Sequence, residues 1–183
     1  AIIYKNDMFK FKSHSELFVD NDYNFAGRPP LQADFIHIAT NSRFSVINLH
    51  MKCCDSGLKR RKKASEMLYN YLNSQVSNQE IEFIVLGDWN DDLKDDKNEH
   101  CFTKFLEDDN YFFPTYDITY DLSQASYPKE PYFSFLDHIL VSKSLILNTK
   151  YEIKTIRIDD YMGGLSIYKQ YISDHRPVLL SID

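Results

Sequence analysis

The stretch Ile84-Val-Leu-Gly-Asp-Trp-Asn-Asp-Asp92 constrains this chain more than any other. A run of Ile, Val and Leu belongs in a buried strand, yet this one leads straight into carboxylates and an amide. Two readings account for the junction. A solvated turn favours Asp and Asn, whose side chains bond the local backbone. Alternatively, the strand aims ligands at something positively charged: Asp88 and Asn90, at i and i+2, point to one side of an extended backbone. Hard oxygen ligands of that kind suit Mg²⁺ or Mn²⁺, which keep waters and bind phosphate oxygens.

Three other strand ends or edges carry polar residues with no obvious structural task. His50 closes "SVINLH", Asp137 and His138 interrupt the apolar "FLDHILV", and Asp174 and His175 sit in "ISDHRPV" just before Pro177. An unpaired buried carboxylate costs several kcal/mol. Asp137 therefore needs a partner, and a histidine or a metal supplies one. Each feature has an ordinary explanation when taken singly: a strand-end histidine at His50, an Asx turn at "SDH", an acidic turn at "GDWND". All of them together require a coincidence. His37 and His138 read as core or strand histidines outside any site. Asp91, Asp92, Asp95 and Asp96 read as solvated loop, and "DDLKDD" lacks the spacing of an EF-hand calcium loop.

With 183 residues, 43% of them hydrophobic and 26% charged, the chain is expected to form one globular domain over 1–183. Strands are predicted at 1–5, 16–19, 33–40, 43–51, 81–87, 134–142, 150–158 and the C-terminal end. An amphipathic helix is predicted from Leu58 to about Ser74 and a short helix over 99–107. The basic run Lys59-Arg60-Arg61-Lys62-Lys63 reads as the solvated face of the first helix. Residues 110–133 read as a long surface loop, rich in aromatics, that could stack on bases or meet lipid. The formal net charge of −6 and pI near 5.5 argue against a general basic field for nucleic acid, though not against local neutralisation of one phosphate. Cys53, Cys54 and Cys101 make no disulfide framework, and no transmembrane run of about 20 apolar residues occurs.

These residues carry a resemblance. "GDWN" resembles the G-D-x-N motif of the endonuclease/exonuclease/phosphatase superfamily, and "SDHRPV" its terminal S-D-H-x-P-V motif. "RPPL", "INLH" and "FLDHILVS" resemble further motifs of that superfamily, in the same order, and "LHMKCC…RR" is similar to its bacterial branch. The resemblance implies an α/β chain in the DNase I-like four-layer α/β/β/α sandwich with two mixed sheets. It implies a divalent-metal-dependent hydrolase of phosphodiester or phosphomonoester bonds, most simply a nuclease. Position by position, Asp88 would orient or deprotonate water or hold the metal, and Asn90 would steady the scissile phosphate. Asp137 would pair with His175 at the phosphate, and Asp174 would bind metal. His50 would donate to a phosphate oxygen, and Arg28 would meet phosphate or brace the site. The implied cofactor is Mg²⁺, with Mn²⁺ as a substitute. The implied partner is a phosphodiester substrate, nucleic acid foremost, with no stable protein partner. Rival expectations are a lipid or inositol-phosphate phosphodiesterase and an inactive binding scaffold. A secreted or periplasmic bacterial enzyme fits the family context. Superfamily members begin with an Asn-bearing strand and a metal-binding Glu that have no counterpart here, Glu16 lying downstream of that place. The resemblance therefore implies an N-terminally truncated domain that binds metal weakly and is nearly inactive alone.

Overall fold

The computed structural model describes residues 1–76 and 81–183. Strands β1 (Phe9–Glu16), β2 (Leu31–His37), β3 (Arg43–His50), β4 (Glu82–Asp88), β5 (Tyr111–Phe112) and β6 (Asp137–Ser142) form one sheet in the order β1-β2-β3-β4-β6-β5. The β3–β4 pair is parallel and the other pairs are antiparallel, so the sheet is mixed. Strands β7 (Tyr151–Thr155) and β8 (Val178–Ile182) make a second, antiparallel sheet of two strands.

The period-2 alternation of β3 sorts its side chains, with Ser45, Ile47 and Leu49 buried, Phe44, Val46 and Asn48 half-buried, and His50 exposed at the end. Helix α1 (Leu58–Val76) covers the first face. Its Ala64, Leu68 and Leu72 join Ile47, Leu49, Phe83 and Val85 in the principal core. Each such leucine contributes about 1.5–3 kcal/mol by leaving water. The other face carries Phe44, Val46, Ile84, Leu86 and Ile139, which meet β8 across an apolar groove of about 1010 Å³. The layers thus run helix, large sheet, small sheet, and the ends of β3, β4 and β6 open onto one edge.

Gly87 explains the junction in β4. Its φ is +137°, and a Cβ there would lie 2.0 Å from the Leu49 carbonyl oxygen on the parallel neighbour. Only glycine lets the backbone bend between the buried Leu86 side and Asp88.

Several expectations need correction. Residues 1–5 form no strand, and the first strand is Phe9–Glu16. Its side chains after Phe9 are all exposed, so an edge strand open on both faces leaves no hydrophobic alternation to read. Residues 19–25 turn as a 3₁₀ helix. The predicted helix over 99–107 shrinks to α2 (Thr103–Leu106), and α3 (Leu165–Tyr171) lies where no element was predicted. Helix α3 has two turns and buries only Tyr168, too little for a periodic signal. Residues 110–133 are no simple surface loop. They contain β5 and two 3₁₀ turns and place Phe113, Thr115, Thr119 and Ser126 in the interior.

Candidate active site

The sheet register lines up three candidates. His50 is level with Asp88 across the parallel β3–β4 pair, and Asp88 is level with Asp137 across the antiparallel β4–β6 pair. Backbone bonds extend the ladder just beyond: Met51 N–H donates to the Asp88 carbonyl at 2.8 Å, and Trp89 N–H to the Leu136 carbonyl at 2.8 Å. Trp89 is wholly buried among Phe102, Phe105 and Phe113, so the chain is pinned between two residues that turn the other way. Asn90 has φ of +55°, a left-handed conformation that Asn tolerates, and its N–H donates to Asp88 Oδ1 at 2.9 Å. Its Nδ2 donates to the Met51 carbonyl at 3.1 Å.

His175 arrives from the loop between α3 and β8. Its Nδ1–H donates to Asp137 Oδ2 at 2.7 Å, which leaves Nε2 as the free nitrogen. The Asp137 hydrogen bond raises the His175 pKa above its ordinary value against the opposing pull of burial, and the Asp137, Asp88 and Asp174 charges add to it. Asp174 itself stays exposed, outside the hydrogen-bonded cluster.

Arg28 donates from Nη1 to His50 Nε2 at 3.0 Å and from Nη2 to the Met51 carbonyl at 3.0 Å. Since a guanidinium can only donate, His50 Nε2 accepts and the ring is neutral. Burial, then the Arg28 and His175 charges, hold its pKa below the ordinary value, against the pull of Asp137. The same Nε2 lies 3.3 Å from Asp88 Oδ2. With the ring neutral, that approach is an ion pair only once His50 takes a proton. Asp88 is the most perturbed member: burial and the Asp137 charge push its carboxyl up to about 6, with His175 and Asn90 pulling the other way. Arg28, Asn48, His50 and Asp88 line a cavity of about 410 Å³.

Supporting residues escaped sequence reasoning. Ser126 is buried; its Oγ accepts from the N–H groups of Leu136 and Asp137 at 3.0 and 3.1 Å, and its carbonyl accepts from Arg176 N–H at 2.7 Å. One serine thereby fixes the backbones that carry both Asp137 and His175. Arg176 forms a buried bidentate pair with Asp159, at 2.9 and 2.6 Å, and Tyr168 donates its hydroxyl to the His175 carbonyl at 2.8 Å. Nothing in the local sequence distinguishes Ser126 from other loop serines. Arg176 stands inside the "SDHRPV" motif, and that position was its one available signal.

The acidic cluster was misjudged in part. Asp95 and Asp96 are exposed as expected, whereas Asp91 and Asp92 are buried. Asp91 Oδ1 receives Arg61 Nη2 at 2.5 Å, and Asp92 Oδ2 accepts from Phe135 N–H at 3.2 Å. Arg61 is accordingly buried too, not part of the solvated basic face; it also donates to the Lys52 and Cys54 carbonyls at 2.8 and 2.7 Å. His138 is a core histidine, donating from Nε2 to the Asp91 carbonyl at 2.9 Å and lying 3.1 Å from Thr115 Oγ1 through Nδ1.

Among the described residues, no group of three or more His, Cys, Asp or Glu side chains is arranged to hold a metal alone. Asp88 nevertheless presents hard oxygens next to a second carboxylate with no neighbouring ammonium or guanidinium bonded to it. One or two carboxylates completed by waters and substrate phosphate is the usual way a protein holds Mg²⁺. The donors fit an ion shared with substrate, and they do not fit a closed protein cage.

The profile of the Endonuclease/Exonuclease/phosphatase family 2 matches residues 89–181, just over half of the chain. No curated protein sequence matches. Solved structures do. The human nocturnin catalytic domain with bound sulfate superposes with a TM-score of 0.63 at 16% identity, covering 97% of this chain and 61% of that one. A humanised D. rerio TDP2 gives 0.66 at 13% identity, covering 97% and 69%. A Bacteroides thetaiotaomicron mannosyl-6-phosphatase gives 0.60 at 16% identity, covering 98% and 69%. The chain therefore spans about three-fifths of the nocturnin domain. On the profile match and the shared fold, this chain belongs to the endonuclease/exonuclease/phosphatase family 2 and adopts the DNase I-like fold.

Proposed function

We propose that the chain carries the phosphate-processing half of a divalent-metal-dependent phosphodiesterase, and that its substrate is a nucleic-acid strand. The observation that carries this reading is the level pair Asp88–Asp137 with His175 bonded to Asp137. Two carboxylates in register repel each other, and a cation meeting them would relieve that repulsion. Asp88, with help from substrate phosphate oxygens, would hold Mg²⁺ or Mn²⁺, and Asp174 stands at the rim as a further carboxylate. The ion would supply neutralisation of the charge that builds on the phosphoryl oxygens.

The chain's own residues divide the remaining work. Without the ion, burial and the Asp137 charge push the Asp88 carboxyl up to about 6. Either it would hold the ion as a carboxylate, or, left off the ion, it would take a proton from an attacking water near neutral pH. Asp137 fixes the His175 ring with Nε2 outward, and the raised pKa of His175 lets that nitrogen donate to a phosphate oxygen or to the leaving oxygen. Arg28 braces His50 and the Met51 carbonyl, and the exposed guanidinium adds positive charge beside the phosphate position. Asn90 shares the Met51 carbonyl with Arg28, so the two ends of the site are tied to one backbone oxygen.

Two observations favour nucleic acid. A D. rerio TDP2 on this fold, 16% identical, was captured with single strand DNA product. In this chain Tyr132, which is 73% exposed and open to stacking on a base, lines the same groove of about 770 Å³ as Asn90, although Asp55, Asp95 and Glu99 on that wall require cations beside a phosphate backbone. The mannosyl-6-phosphatase keeps a second reading in play, a sugar phosphomonoesterase. The test is turnover by the full-length protein of plasmid DNA, RNA, bis-nitrophenyl phosphate, an inositol lipid and a hexose 6-phosphate, each with Mg²⁺, Mn²⁺ or EDTA. Metal-dependent cleavage of the nucleic acids and the diester is expected. Cleavage of the hexose monoester alone would move the assignment to the second reading, and no metal-dependent cleavage of any substrate would refute both.

A further inference from the structure

The basic run of α1 takes no part in the site above, yet it borders a cavity of about 710 Å³ beside the helix. Lys59, Arg60, Lys62 and Lys63 line it, together with Lys97 and Lys104. Among the described lining residues Glu66 is the single carboxylate, and it is shared between Lys63 at 2.8 Å and Lys104 at 3.1 Å. Lys97 is also paired with Glu107, Lys62 donates to the Asn98 carbonyl and Arg60 to the Tyr23 carbonyl, yet six cations around one lining carboxylate stand out in a chain whose net charge is −6.

Two buried groups make this more than a solvated face. Ser65 lines the same cavity, is 1% exposed, and its Oγ has no hydrogen-bond partner; Arg60 Nε is likewise buried without one. An unsatisfied buried donor is costly, and an incoming acceptor removes the cost. His100, another buried wall residue, accepts Phe102 N–H at Nδ1 (3.1 Å), so its neutral ring carries the proton at Nε2. Hydroxyl, guanidinium and imidazole donors among ammonium groups suit a polyanion. We propose that this cavity binds a ligand bearing several phosphate groups, either a free oligophosphate or the backbone of a nucleic-acid strand. It shares no lining residue with the Arg28–His50–Asp88 cavity, so it is a second site.

The test is calorimetric titration of the protein with inorganic tripolyphosphate in EDTA at low salt. The expected result is saturable one-to-one binding, weakened at least about tenfold by Lys62→Glu with Lys104→Glu and unchanged by His175→Ala. Should the double charge reversal not fold by circular dichroism, Lys62→Gln replaces it, with the same direction expected. Ser65→Ala separates ligand contact from structure: it raises the melting temperature of the free protein while weakening tripolyphosphate. A single-stranded oligonucleotide without terminal phosphates that displaces tripolyphosphate identifies the strand as the source, and failure to displace it identifies a free oligophosphate. No saturable binding, binding indifferent to the Lys62 and Lys104 changes, or binding lost in His175→Ala overturns the proposal.

Discussion

Replacing Asp88 by Asn should make the protein more stable while disabling it. The Asp88 carboxyl is 15% exposed and faces Asp137, and its pKa rises from 3.8 to about 6. At about 1.4 kcal/mol per pKa unit, the ionised form costs the folded state about 3 kcal/mol. The folded protein binds this proton more readily than the unfolded chain does. Stability therefore falls as pH rises from about 4 to about 6 and stays reduced above that. Asn keeps the amide oxygen that accepts Asn90 N–H and carries no charge, so it escapes the penalty. In EDTA at pH 8, Asp88→Asn should raise stability by about 2–3 kcal/mol, or about 4–12 °C in melting temperature for a chain of this size. At pH 4 the difference should vanish. The assay is thermal unfolding by circular dichroism across pH 4–8. A variant no more stable than wild type at pH 8, or one whose advantage grows toward acid, would refute the reasoning, because the carboxylate would then be stabilised by something the geometry does not contain.

Three other perturbations follow from named contacts. Gly87→Ala drives a Cβ into the Leu49 carbonyl at a φ of +137°, and should cost more than about 4 kcal/mol, read as a collapse of the melting transition. Arg61→Met strands the buried Asp91 carboxylate and should lose about 3–5 kcal/mol in urea unfolding, with partial recovery when Asp91→Leu is added. Asp137→Asn removes the hydrogen-bonded charge that raises the His175 pKa, so the His175 imidazole, followed by NMR, should titrate at lower pH. The stabilisation that the Asp137–His175 pair gives below the ordinary histidine pKa, lost in wild type as pH rises through the raised value, should shrink with it.

The catalytic candidates were legible because each breaks a local rule. Asp88 follows an apolar strand through a glycine, Asp137 interrupts one, and His175 precedes a proline and a final strand. Such violations need a compensating partner, and the structure supplies His175 for Asp137. Asp91 and Asp92 broke no visible rule, since acids in a turn after a strand are ordinary. Their burial depends on Arg61 and the Phe135 backbone, 30 and 43 residues away in sequence. Strand β1 was invisible for the opposite reason: seven of its eight side chains are exposed, and the contacts that tie it to β2, the Ser13–Asp34 hydrogen bond and the Phe9–His37 and Phe11–Phe35 ring pairs, follow no buried alternation. Ser126 acts through two backbone N–H groups and its own carbonyl, chemistry any serine could offer, and only the fold singles it out.

The central claim is that Asp88 and the Asp137–His175 pair act together on a phosphodiester. Its most direct test is Mg²⁺-dependent turnover of bis-nitrophenyl phosphate by the full-length protein and by its Asp88→Asn and His175→Ala variants, each shown folded by circular dichroism. Each substitution is expected to lower kcat at least about 100-fold. Turnover at the wild-type rate in either variant would contradict it.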